Sequence, residues 1–376
     1  MLAMHRQHLS RVIGSALCFA FITTATAQHQ ASESKQTHSH ETEKHHANGS
    51  DQDHSKKSAP DHGKLSVTVF ADAYFAADHH SSTVNGMGGF WFRRIYLTYD
   101  RELEGGFAAR LNFEAASPGD FTTDDKLYTK FKDAYISHHG EAGHAYFGLT
   151  INPLIGSYEK YHKGYRAIER TPLDLFKMSG SRDTGIGFKG HLSGKTDYWL
   201  MVGNDSSVGS ETNKGKAFYL NLNHELAPNL DLNGTAVYAD KDGSDHWTTA
   251  AVFLGYKGDK IEGSLFYAHQ ARSIAAGPDV SLDIVSLYLS FHSSDTVKPF
   301  FRADFVNGAV PKADKIKYLK LSKDASPSLF IVGVDMKLSK NVHLIPNIEW
   351  VTYSNPTSGP TPGNDMFIRL TVVAKF

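Results

Sequence analysis

From Lys64 to the C terminus, apolar and polar residues alternate with a period of two, in segments of about ten residues separated by clusters of Gly, Ser, Asp and Pro. The last segment, "MFIRLTVVAKF" (366–376), shows the pattern well. Ile368, Leu370, Val372, Ala374 and Phe376 share one face of an extended strand, and Arg369, Thr371 and Lys375 share the other. Segments of this kind are predicted at 65–76, 90–100, 106–116, 130–139, 144–152, 184–193, 197–205 and 217–226. The series continues at 230–240, 247–257, 261–270, 282–292, 298–306, 328–338 and 343–353 and ends with the closing strand, about sixteen in all, the even count of a closed bacterial barrel.

The connections alternate in length. "RELEG", "GEAG", "SGKT", "APN", "GDK", "SSDT" and "SKN" are tight and join each even strand to the next odd one, whereas the other connections are longer. Tight turns at one end and long loops at the other are expected of an outer-membrane barrel, with the tight end periplasmic. The predicted fold is all-β: a closed antiparallel transmembrane β-barrel over residues 64–376. Closure removes every strand edge, which lipid would leave unpaired. Alternation then sends Ile368, Leu370, Val372 and Phe376 to lipid and Arg369 and Thr371 inward. Phe107, Phe113, Phe147 and Trp350 are expected on the lipid side, and Tyr96, Tyr135 and Tyr146 on the inner side.

Residues 1–27 read differently. Arg6 and Arg11 precede the apolar run "VIGSALCFAFITTATA", the order of a secretory signal peptide with cleavage after Ala27. Cys18, the one cysteine, lies within it, so the mature chain carries no disulfide. Removing Arg6 and Arg11 leaves 37 Lys and Arg against 40 Asp and Glu, a net charge of -3 that gives no support to nucleic-acid binding. Residues 28–63 contain no Val, Ile, Leu or aromatic residue, and they are expected to be a disordered periplasmic tail. Seven histidines punctuate them. The pairs His38/His40 and His45/His46 could hold Zn, Cu or Ni; the alternative is a solvated spacer, and no resident cofactor is expected elsewhere.

The longest connection is "PLIGSYEKYHKGYRAIERTPLDLFKMSGS", about thirty residues between the strands ending at Asn152 and starting near Arg182. Read as a structureless loop of that length, it is expected to fold into the pore, and Lys160, Lys163, Arg166 and Arg170 outnumber its acids. Cations at a constriction favour anions. Parity also turns Arg94, Arg110, Arg302, Arg369 and Lys375 inward, together with Glu114, Asp304 and Glu349.

The segments "FRRIYLTYDRELEGGFAARLNFE" (92–114), "FKDAYISHHGEAGHAYFGLTINPL" (131–154) and "IERTPLDLFKMSGSRDTGIGFKG" (168–190) resemble the phosphate-selective porin O and P family. The matching positions are Arg93, Arg94, Asp133, Ala134, Tyr135, Phe147, Gly148, Glu169, Arg170, Arg182 and Gly185. The resemblance implies a sixteen-stranded barrel, usually a homotrimer, in the outer membrane of a Gram-negative bacterium, conducting anions such as phosphate past inward Arg and Lys. It implies contact with outer-membrane lipid and lipopolysaccharide, and Phe376 resembles the signal read by the barrel-assembly machinery. The family's dense run of loop lysines and tyrosine-rich entrance are not aligned with any segment here. Alternatives are a plugged, adhesin-type or structural barrel and a weakly selective pore for neutral solutes. An enzyme is not expected: His79, His80, His138 and His139 lack a serine elbow, and "GHLSGKT" is one residue short of a phosphate-binding loop.

Overall fold

The computed structural model describes residues 63–123, 126–162, 165–205, 207–241 and 244–376. The expected signal peptide and the expected tail up to residue 62, with His38, His40, His45 and His46, lie outside the described residues, as does Lys163.

Sixteen strands are found among the described residues. The first five are β1 (Lys64–Asp78), β2 (Gly88–Glu102), β3 (Phe107–Ala116), β4 (Tyr128–Gly140) and β5 (Gly143–Ile151). Two helices follow, α1 (Pro153–His162) and α2 (Pro172–Leu175). Next come β6 (Arg182–Ser193), β7 (Thr196–Gly203), β8 (Ala217–Ala227), β9 (Leu230–Asp240), β10 (His246–Lys257) and β11 (Ile261–Ser273). The chain ends with β12 (Val280–Phe291), β13 (Val297–Asn307), β14 (Ser326–Lys337), β15 (Val342–Ser354) and β16 (Asp365–Lys375).

Each strand pairs antiparallel with its neighbours in sequence, and β1 pairs with β16 to close the barrel. The seam runs from Thr68 opposite Lys375 to Phe75 opposite Ile368. At its end Val67 and Phe376 exchange two backbone hydrogen bonds, of 2.7 and 3.0 Å. The last residue is therefore a full member of the sheet, and no edge is left whose groups would each cost several kcal/mol in hydrocarbon.

The expected faces are observed. Ile368, Leu370 and Phe376 are exposed, Phe376 to 72%, while Phe367, Arg369 and Thr371 are buried inside. Phe107, Phe113, Phe147 and Trp350 stand on the outer surface, and Tyr96, Tyr135 and Tyr146 on the inner one. Among the described residues no helix is long and apolar enough to cross a membrane.

The register shifts at five places between strands among the described residues, and two of these shifts re-aim charge. Phe70 pairs with Arg94 and Ala71 with Phe92, so Arg93 is an extra residue in β2. On β4, Asp133 pairs with Asn112 and Phe131 with Phe113, so Lys132 is extra. A β-bulge puts two consecutive side chains on one face. Arg93 and Arg94 are thus both buried inside the barrel, as are Lys132 and Asp133, where strict alternation would have sent one of each pair into lipid.

The connection after β5 is not structureless. Asn152 accepts the Ile155 N–H at 3.2 Å through its side chain, and Pro153 occupies the first turn, where its missing N–H costs nothing. The helix that starts there presents Gly156 to the Trp199 ring on β7, where a Cβ would collide. Pro172 likewise occupies the first turn of the short α2, although Thr171 before it makes no side-chain cap bond.

Candidate functional site

Residues 152–181, the third long loop, are bonded to inward-facing side chains around the barrel. Glu169 accepts from Arg93 Nη2 at 2.8 Å, and both side chains are buried. Arg302 Nη1 donates to the Arg170 carbonyl at 2.5 Å, Gln270 Nε2 to the Met178 carbonyl at 2.6 Å, and Arg272 Nη2 to the Lys177 carbonyl at 2.7 Å. Tyr158 packs against Phe253 and Phe266 with ring centres 4.7 Å apart in each case, and Tyr165 lies 4.2 Å from Phe300. Aromatic contacts of this geometry contribute about 0.5–1.5 kcal/mol each beyond area burial. The loop is thereby tied to β2 and to the wall from β10 to β13.

Behind Glu169 lies a buried charge cluster. Arg93 is 3.5 Å from Asp72 and 3.7 Å from Glu349, and Arg369 is 3.6 Å from Asp72 and 3.2 Å from Glu349. Arg369 also donates to the Tyr318 carbonyl at 2.5 Å, and Arg93 stacks 5.0 Å over the Tyr318 ring. Tyr318 belongs to the long connection between β13 and β14, so the same cluster holds a second loop. A buried ion pair is weak evidence for net stability, but removing one member leaves a buried charge uncompensated.

Beside this cluster is a cavity of about 300 Å³. Nine Lys and Arg line it against two acids, Glu114 and Asp174. Arg93 and Arg94 come from β2, Lys130 and Lys132 from β4, Arg166, Arg170 and Lys177 from the third loop, and Lys315 and Lys317 from the β13–β14 connection. Some of this charge is compensated: Arg166 pairs with Glu159 at 3.1 Å and Asp174 at 3.3 Å, and Lys130 and Lys132 each reach Glu114 at 3.4 Å. Arg94, Arg170, Lys177 and Lys317 have no ion pair among the described residues; Arg94 donates to the Arg166 carbonyl at 3.3 Å and Lys317 sits over the Tyr128 ring. Burial, followed by the neighbouring Arg170, lowers the Lys177 ammonium to about 8. Burial works against the Asp174 carboxylate, yet Arg170 and Arg166 hold it below the ordinary range.

Of the residues expected from sequence, Arg94, Arg166 and Arg170 meet at this cavity. Arg302 is held by Asp304 at 2.5 Å and braces the loop through the Arg170 carbonyl, and Arg369 braces Tyr318. Arg110 faces inward near the tight-turn end, where Asp100 binds it in a fork at 2.5 and 2.9 Å, apart from the cavity. Lys160 lies in α1 and its side chain is outside the described residues. Sequence reasoning missed Arg93, Lys130, Lys132, Lys177, Lys315 and Lys317 as lining residues. The absence of a dense lysine run is also corrected, because "PKADKIKYLKLSKD" (311–324) contains five lysines and two of them reach the cavity.

A second cavity, of about 600 Å³, lies toward the tight-turn end and is lined by His139, His144, His191, Lys189 and Trp199 among others. Trp199 Nε1 donates to the Tyr146 hydroxyl there, and Lys189 Nζ stands 3.7 Å over the Trp199 ring.

The family model described as Gram-negative porin matches residues 16–344. The chain belongs to the Gram-negative porin family. As a porin it forms an outer-membrane channel for passive diffusion. No curated protein matches its sequence. The fold is similar to that of the anion-selective porin from Comamonas acidovorans, with a TM-score of 0.62 at 13% identity over 83% of this chain and 99% of that one. It is also similar to Salmonella typhi OmpF in complex with daunomycin (TM-score 0.60, 11% identity, 83% of this chain and 97% of that one). The trimer form of OmpT, an outer membrane protein of Vibrio cholerae, gives 0.57 at 12% identity, over 83% of this porin and 98% of OmpT. At these identities the likeness bears on the fold alone.

Proposed function

We propose that this porin passes small anions, inorganic phosphate among them, and that its third long loop narrows the channel. The observation that carries the reading is the cavity lined by nine Lys and Arg against two acids, four of those cations having no ion pair among the described residues. An anion passing within about 4 Å of one such charge gains about 1 kcal/mol if the surroundings screen like water and about 4 kcal/mol at the effective dielectric of a protein surface. Loop cations from two different connections converge on one side of the interior, and together they bias the local ion population toward anions.

The resemblance to the phosphate-selective porin O and P family supports phosphate as a permeant ion, and Arg93, Arg94, Glu169 and Arg170 are positions it shares. In this reading the tight turns and the His-rich tail face the periplasm and the protein is a homotrimer without catalytic activity. Phe376 is the recognition residue for barrel assembly, and the outer face meets lipid and lipopolysaccharide. The test is conductance of the refolded mature protein in planar bilayers under a potassium chloride gradient, followed by phosphate as competitor. An open channel with an anion-selective reversal potential that phosphate reduces in conductance supports the reading. A folded barrel with no conductance would replace it with a plugged, structural barrel.

A further inference from the structure

At the long-loop rim, beside the seam between β1 and β16, His79 and His80 follow the end of β1 and lie against Asp365, the first residue of β16. The side chains of His79 and Asp365 have no solvent exposure, and that of His80 is 18% exposed. His79 Nδ1 is 3.7 Å and His80 Nδ1 is 2.8 Å from Asp365 Oδ1. One donor atom from each of the three residues lies within 4.8 Å of the other two. Tetrahedral zinc holds nitrogen and oxygen donors at about 2.0–2.1 Å, which places neighbouring donors about 3.3 Å apart, between the two observed separations. We propose that His79, His80 and Asp365 form a divalent-cation site, best suited to zinc, that clips the barrel seam at its long-loop end.

The surroundings are those of an oriented ligand set. His79 Nε2 donates to the Leu319 carbonyl at 3.2 Å, which fixes the tautomer and leaves the Nδ1 lone pair for the site. Asp365 Oδ2 accepts from the Tyr353 hydroxyl, and Oδ1 accepts the His80 backbone N–H at 2.7 Å. Lys320 is the nearby cation that opposes an incoming ion. In the structure Ser81 N–H donates to His79 Nδ1 at 2.9 Å, and His80 Nδ1 shares a hydrogen with Asp365. A bound ion would replace both hydrogen bonds, with the His80 proton carried on Nε2 and none released. Two neutral imidazoles and one carboxylate leave a fourth position for water, and no thiolate is needed.

The test uses the full mature chain folded in detergent, with zinc chloride as the probe, and compares the wild type with His80→Ala and Asp365→Asn. Heat-modifiable migration in gels checks that each variant folds. The proposal expects the wild type to retain one more zinc per chain than His80→Ala, with an anomalous peak at the zinc edge between His79, His80 and Asp365. Any zinc taken up by the tail would add equally to both proteins, so the difference between them decides and total binding does not. Equal zinc content in wild type and His80→Ala, with no anomalous peak at the seam, overturns the proposal. If Asp365→Asn does not fold, His80→Ala decides, since its side chain is at the rim and its loss leaves the Tyr353–Asp365 bond in place.

Discussion

Glu169 is the side chain whose removal should release the third loop most directly. It bonds Arg93 Nη2 at 2.8 Å and also accepts the Arg170 backbone N–H at 2.8 Å, in surroundings closed to solvent. Breaking a buried pair by deleting one partner costs about 3–5 kcal/mol. Arg93 keeps Asp72 at 3.5 Å and Glu349 at 3.7 Å, which places Glu169→Ala at the lower end. A loss of about 3 kcal/mol raises the population of a locally detached loop by roughly a hundredfold. Detachment should be confined to the stretch around Ile168–Thr171, where the Arg302 bond to the Arg170 carbonyl still opposes it, because Met178 and Lys177 stay bonded to Gln270 and Arg272. Single-channel recordings of Glu169→Ala should show larger or more frequently fluctuating conductance, and amide exchange should accelerate at 168–171 before it does at 176–178. Glu169→Gln, which keeps the shape and one acceptor, should fall between. Wild-type conductance and wild-type exchange in a folded Glu169→Ala barrel would refute the claim that this ion pair holds the loop.

Other predictions follow from single groups. Lys177 is cationic below about 8 and loses its charge above it, so anion preference should decline as the pH rises from 7 to 9. Lys177→Met should start with a lower preference and show less change over the same range of reversal potentials. On the lipid face, Leu265 is exposed near the middle of β11; Leu265→Arg should destabilise the barrel by about 2–4 kcal/mol in a bilayer urea titration. On the inner face, Thr235→Ser keeps the hydroxyl that accepts from Asn221 and should change stability by well under that amount.

The strand order and both faces of the barrel were legible because alternation is a local property repeated in every segment, and turn length marks the two ends. The predicted 328–338 became Ser326–Lys337 and 65–76 became Lys64–Asp78, differences at the ends where pairing, not pattern, sets the limit. Counting by two fails at Arg93 and Lys132, because a bulge is visible only in the register with the neighbouring strand. The two helices of the third loop were hidden within a segment read as structureless, although Asn152 before Pro153 is a helix-start signal. Lys315 and Lys317 were missed for a different reason: barrel closure brings the β13–β14 connection beside β2 and β4, and no sequence period reports that approach. Arg110, Arg302 and Arg369 each pair with an acid, and no sequence period separates such cations from those left to meet an ion.

That separation is the basis of the account, and one comparison tests it. Reversal potentials in a tenfold potassium chloride gradient should be measured for the wild type, for Arg94→Gln/Arg170→Gln, and for Arg110→Gln as a control already neutralised by Asp100. The account predicts an anion-selective wild type and several-fold lower chloride preference in the double variant. The difference should shrink when the salt is raised to about 1 M, where the screening length falls to about 3 Å. Arg110→Gln should stay close to wild type. Identical reversal potentials for all three folded proteins would contradict the assignment of selectivity to the unpaired cations of the cavity.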